Sequence, residues 1–459
     1  MDDSRLHLRQ LADFAAQLRH ERIPASAVTL IKHVLLDSLG CAFAADGLDP
    51  GSGIVSTVFA VQASGDACTI FSTGGRTETI GAALVNGALV HALNFDPVGA
   101  RSGHTGVACM AAPFAMAEAR GASGRGLVTA AIVAAEISAR ITCAIVAAGR
   151  RPSDKFLGGQ LLSYFGAAAG AAHLMGLDAE RMESALCLAL MQASGSRQVI
   201  FGGDAPAKSI YGAFPAAGAI TAALLAGAGL DARCDLFGAP AGLYASFYGG
   251  GIDTAGITAG LYEHYAFMDA EFKPWPASSH IIPFIEAAIQ ASQALPDLAK
   301  IESITLVGPP HGKPWLEPLA PKLAPQNVAA AGNSGPYCAA VALSEGHFDF
   351  AFADPARAPD IASIAALLRV AYDDAITGAR IVVRMQDGTT RTCASDAPLG
   401  SLANPLSEAQ HVEKFMRCCA LSRNANVRRN ATALAAAFVD LENISDVRVI
   451  TRLMRDAEG

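Results

Sequence analysis

The stretch ASAVTLIKHVLLDSLGCAFAA, residues 25–45, decides the fold class. Its apolar side chains recur at helical spacing, and Gly40 lies near its end. Small residues fill much of the rest, so such a helix can approach its neighbours closely. The same style returns at residues 82–93, 106–119, 126–147, 163–175, 184–193 and 216–226, with loops of Gly, Asp and Pro between them. No repeat of fixed period is present. Up to about residue 266 the chain therefore predicts a compact helical bundle rather than a solenoid.

Beyond about residue 269 the character changes. Residues 304–307 (ITLV), 368–372 (LRVAY) and 379–385 (ARIVVRM) are rich in β-branched side chains and predict strands. Asp387-Gly388 between residues 381–386 and 389–393 predicts a hairpin. Helices are expected at 279–294 and 337–344, which makes this section a small α+β unit. From Ser407 the pattern is helical again, at 415–421 and 431–438. The expected fold class is mainly α: a large all-α helical domain with an inserted smaller α+β domain. The boundaries are 1–268 for the first part of the helical domain, 269–400 for the α+β domain, and 401–459 for C-terminal helices returning to the first.

The 459 residues exceed one hydrophobic core. Apolar residues reach 52% and charged ones only 17%, which calls for a deep core or an extensive subunit interface. The net charge of −8 and the lack of long Lys/Arg runs argue against nucleic-acid binding. Residues 209–230 and 157–177 have the length of a membrane span. Their Ala/Gly composition, Pro215, and the absence of aromatic belts favour buried helices instead, so no membrane partner is expected. The ten cysteines are scattered without a C-x-x-C, and the first residues have no apolar signal core. A reducing, cytoplasmic location is the expectation.

Several chemistries drop out. No G-x-x-x-x-G-K-[ST], G-x-S-x-G or H-E-x-x-H is present. Gly121, Gly124 and Gly126 follow no strand, so a dinucleotide fingerprint is unsupported. Without C-x-x-C pairs or clustered histidines, no metal or iron–sulfur site is expected, and no cofactor.

Separated motifs then converge. NGALVHALNFD (86–96) resembles N-G-x-x-x-H-A-L-D-F-D-D of the MmgE/PrpD family, and HTG (104–106) resembles the H-P-S that follows it. KFLG (155–158) and HLMGLD (173–178) resemble the family's G-F-H-P and K-L-L-G-L-D. Lys208 falls in the T-K-P-L-H-x-G region, KPWP (273–276) is similar to K-P-Y-P, and NSGPY (333–337) to F-S-x-P-Y. The likeness runs in collinear order from about residue 10 to 450. It implies a site between a large helical and a smaller α+β domain, a homodimer, and metal-free chemistry on a small polycarboxylate.

The resemblance places the site histidine at His104, the site lysines at Lys208 and Lys273, and the tyrosine at Tyr337. Asn94, Asp96 and Ser278 are expected to bind substrate. Lysine ammonium groups orient a polycarboxylate and stabilise charge developing at carbon, and a histidine moves the proton. Each position also has a plainer reading. His104 caps the helix near Gly106, Lys208 is a solvated lysine ahead of a helix, and Tyr337 is a core residue with its hydroxyl satisfied. Asp96 either caps the next segment or holds His104, and His91 is a satisfied core histidine. The chain departs from the family at Asn94, where an aspartate is usual, at Leu157, where the motif has histidine, and at Ser278, where some decarboxylases have histidine. The expected activity is a lyase, by dehydration of a 2-methylcitrate-like acid or a related decarboxylation. The alternatives are a cofactor-independent epimerase of an amino-dicarboxylate such as iminodisuccinate, and a non-catalytic protein that retains the fold.

Overall fold

The computed structural model describes residues 3–61, 65–99, 103–151, 155–200, 206–295, 297–357 and 361–455. The helices Ala25–Leu48, Thr79–His91, Gly124–Ala147, Gly158–Leu174, Ala179–Gln192 and Ala213–Gly227 pack into the large bundle. Gly158–Leu174 lies between Gly124–Ala147 and Ala213–Gly227, and the last of these packs in turn on Thr79–His91. One continuous core fills the bundle, from Leu8 to Met454.

Glycine sets these approaches. A methyl group at Gly166 would run into the Ala134 carbonyl and the Ser138 hydroxyl of the facing helix. Gly166→Ala is therefore expected to destabilise the chain by about 1–3 kcal/mol through overpacking, read as a lower midpoint in denaturant unfolding. A midpoint equal to the parent's would mean the two helices can separate freely.

The helix expected at 106–119 is two helices, Thr105–Cys109 and Ala111–Arg120. Pro113 is the cause: it has no N–H for the Cys109 carbonyl, and its ring crowds that carbonyl. Pro215, by contrast, lies in the first turn of Ala213–Gly227, where its missing donor is not needed. Ala25–Leu48, Gly124–Ala147 and Ala207–Gly227 are long and apolar enough to cross a membrane by length and composition, but 78%, 83% and 61% of their apolar windows are buried inside the fold. All ten cysteines are free.

The smaller unit has a four-stranded sheet in the order Leu368–Tyr372, Ile301–Gly308, Ala379–Met385, Thr390–Ser395. The first pair is parallel and the others antiparallel, with Ile304 opposite both Leu368 and Val383. Gly388, at φ 85°, makes the hairpin turn. Ile282–Ala294 lies on this sheet and Gly335–Glu345 packs against that helix, closing a second core. The segments that flank the unit carry it onto the bundle. Val98–Gly99 pairs antiparallel with Ala270–Glu271, and the helix Glu408–Leu421 packs on Ala25–Leu48. A Ser407–Gln410 capping box starts that returning helix. Inside the contact, Lys414 forms an ion pair with Asp37 (2.6 Å), lies 3.7 Å from the centre of the Phe95 ring, and donates to the Phe95 carbonyl.

Candidate active site

A cleft of about 820 Å³ opens where the two units meet. The turn after Thr79–His91 forms one wall. Asn94 there adopts φ 52°, a left-handed conformation that asparagine tolerates better than most residues. This turn sends Asp96 inward, where it is wholly buried. Its two oxygens meet His91 Nδ1 and His104 Nδ1, each at 2.9 Å.

Burial opposes a charge on Asp96, but the two imidazoles and their hydrogen bonds outweigh it and hold the carboxyl well below the usual range. An ionised carboxylate only accepts, so both Nδ1 atoms donate. That leaves the far nitrogen of each ring, Nε2, unprotonated when the imidazole is neutral. Burial lowers His91 to about 3, so it stays neutral. His104 lines the cleft and caps no helix with its side chain. The three residues bring ligand atoms within 4.8 Å of one another, a grouping that also suits a metal ion. At 2.9 Å, however, each N···O pair is a hydrogen bond, and both carboxylate oxygens are committed to one.

Lys208 and Lys273 line the same cleft. Lys273, which is buried, donates to the Asn94 carbonyl at 2.6 Å. Lys208 Nζ donates to Asn333 Oδ1 at 3.1 Å, and Lys322 Nζ to the Asn333 carbonyl at 2.7 Å. Burial, then the charges of Lys273 and Lys322, lower Lys208 to about 8. Burial also lowers Lys273.

The structure thus brings His104, Lys208, Lys273, Asn94 and Ser278 to one cleft. Asp96 lies behind His104 rather than on the lining, so it is corrected from a substrate-binding to a positioning residue. Tyr337 is also corrected: it belongs to the core of the smaller unit, donates to the Phe352 carbonyl at 3.1 Å, and does not line the cleft. The position is fixed by Ser334, which caps the helix Gly335–Glu345 and turns Tyr337 into the core.

Sequence reasoning passed over Asn333, Tyr211, Arg197 and Glu271, all of which line the cleft. Asn333 opens the NSGPY motif (333–337), four positions before the tyrosine that the resemblance singles out. His280, which also lines the cleft, stacks on Trp315 at 3.9 Å, and burial lowers it to about 4.

Residues 9–254 match the MmgE/PrpD N-terminal domain and residues 275–437 the MmgE/PrpD C-terminal domain. The cis-aconitate decarboxylase of Aspergillus terreus is 27% identical over 232 residues, 49% of this chain and 46% of that protein. A cis-aconitate decarboxylase-like protein of Aspergillus oryzae is 26% identical over 225 residues, 47% of this chain and 46% of its own. These matches span about half the length of either fungal relative. The cis-aconitate decarboxylase of Mus musculus is 24% identical over 451 residues, 92% of this chain and 88% of that enzyme.

Proposed function

Because the chain belongs to the MmgE/PrpD family, we propose that it is a lyase removing water or carbon dioxide from a small polycarboxylate, with His104 carrying the proton. One observation carries the reading: an imidazole backed by a buried carboxylate faces a cleft that also holds Lys208 and Lys273. Cations gathered around Asn333 and Asn94 repel one another until an anion joins them, so a polycarboxylate is the natural occupant. In dehydration the carbon proton and the hydroxide leave together as water. In decarboxylation the electron pair of the broken C–C bond stays on carbon, and the imidazolium of His104 protonates it. The lysines stabilise the negative charge that either path builds.

Incubation with cis-aconitate and 2-methylcitrate, followed by ultraviolet absorbance and carbon dioxide release, tests the reading. A change in the conjugated-acid absorbance is expected with at least one acid of such a panel, and none with any member overturns it. A second reading, proton exchange in an epimerase, draws on Leu157, an apolar side chain where the family motif has an imidazole. Deuterium uptake into the substrate without elimination distinguishes it.

Lys208 adds a pH signature. Its ammonium is charged below about 8 and loses its proton as the pH rises through that value. Polycarboxylate affinity is expected to fall across that window, and a Lys208→Met variant to show a flatter profile. Identical profiles would exclude Lys208 from binding. The homodimer that the family resemblance implies is part of the same proposal, and exposed apolar side chains such as Met191, Phe214 and Leu225 are available to such a contact.

A further inference from the structure

We propose that the first turn of the helix Gly158–Leu174, together with the Tyr211 hydroxyl, is a carboxylate subsite that holds one end of the substrate beside His104. The inference rests on the polycarboxylate reading above and names the residues that take one of the carboxylates.

The helix begins without a cap of its own. Its N-cap residue is Leu157, which has no side-chain acceptor to offer. The first bond across the helix start runs from the Leu161 amide to the Leu157 carbonyl. The amides of Gly159 and Gln160 precede that bond and belong to the positive end of a 17-residue helix. Both Gly158 and Gly159 line the cleft.

Tyr211 is the second, independent observation. It is 5% exposed, yet its hydroxyl has no hydrogen-bond partner among the described residues. The ring stacks on His91 at 3.7 Å and meets His104 edge-on at 5.7 Å. A methyl group at Gly159 would collide with both the Tyr211 hydroxyl and the His104 ring. The orphan hydroxyl, the imidazole and the helix start therefore converge on one point of the cleft. Burial, then Asp96, hold the phenol well above its usual range, so it stays a donor. Leu157 and Val107 pack on Tyr211 and keep that wall apolar, which strengthens any hydrogen bond made against it. A carboxylate supplies the acceptor that the phenol lacks, at the positive end of the helix where an anion is favoured.

The test measures binding of propane-1,2,3-tricarboxylate by calorimetric titration at pH 7. This probe has neither a hydroxyl nor a double bond, so it cannot undergo the eliminations proposed above. Tyr211→Phe keeps the ring and removes only the hydroxyl. It is expected to bind the probe about tenfold more weakly or worse, while its ligand-free Tm stays the same or rises, because a buried unpaired group is gone. Leu157→Asn gives the helix its own cap and is expected to weaken binding as well, which covers the case of a poorly folded tyrosine variant. Binding of both variants within twofold of the parent overturns the subsite and leaves the lysines and the lyase reading intact. A lower Tm with unchanged affinity likewise overturns it, reducing Tyr211 to a packing role. No binding by the parent overturns the polycarboxylate reading itself, and the subsite with it.

Discussion

His104→Ala is expected to lower kcat by about 10²–10⁴-fold while leaving the helical signal in far-ultraviolet circular dichroism unchanged. Of the two cleft-lining imidazoles that Asp96 holds, His104 is the more open, its side chain 22% exposed against 2% for His91. Its loss removes the proton carrier but leaves Asp96 bound to His91, so the turn keeps one of its two anchors. KM is expected to change less than kcat, since the cations remain. Steady-state rates on the best acid of the substrate panel check this. Full turnover by the variant would remove His104 from the mechanism, however close its neighbours stand.

Asp96→Asn has the second large effect and acts through a different cause. The carboxylate accepts from two Nδ1–H groups, whereas an amide offers one acceptor and one donor face. One imidazole then meets a donor and must take the other tautomer, with its proton on Nε2. If that ring is His104, the nitrogen facing the substrate can no longer accept a proton. A kcat loss of about 100-fold or more is expected, with about 1–3 kcal/mol of stability lost as two hydrogen bonds to an ionised carboxylate become bonds to a neutral amide. The pH dependence has a definite sign. The folded-state pKa of Asp96 is depressed, so its contribution is fully present above the unfolded value of about 4 and fades as the pH falls below it. Denaturant unfolding at pH 7 and near pH 3 should therefore show the gap between parent and variant narrowing in acid. A constant gap would mean that the charge of Asp96 contributes nothing.

The helical and strand segments were legible because burial imposes a period on each. Leu368–Tyr372 and Ala379–Met385 have the bounds that their β-branched runs predict. Errors fell where one residue overrides the period, as Pro113 does by splitting a continuous apolar run. The site was legible in a different way. Lys208 and Asn333 are 125 residues apart, and Lys273 and Asn94 are 179. No local pattern reports such a meeting, and only family resemblance singled out His104 and the lysines. Tyr337 shows the limit of that route: a residue can match a motif and still turn into a core. Tyr211 shows the converse, since nothing in its neighbourhood of Ala and Gly marks a hydroxyl left without a partner.

Lys414 belongs to the last tenth of the chain, yet it props the Phe95 carbonyl, 319 residues earlier and next to Asp96. A ribosome releasing this protein has made every group of the cleft before it makes the strut beneath them. Assembly of those groups is therefore expected to await the docking of the helix Glu408–Leu421.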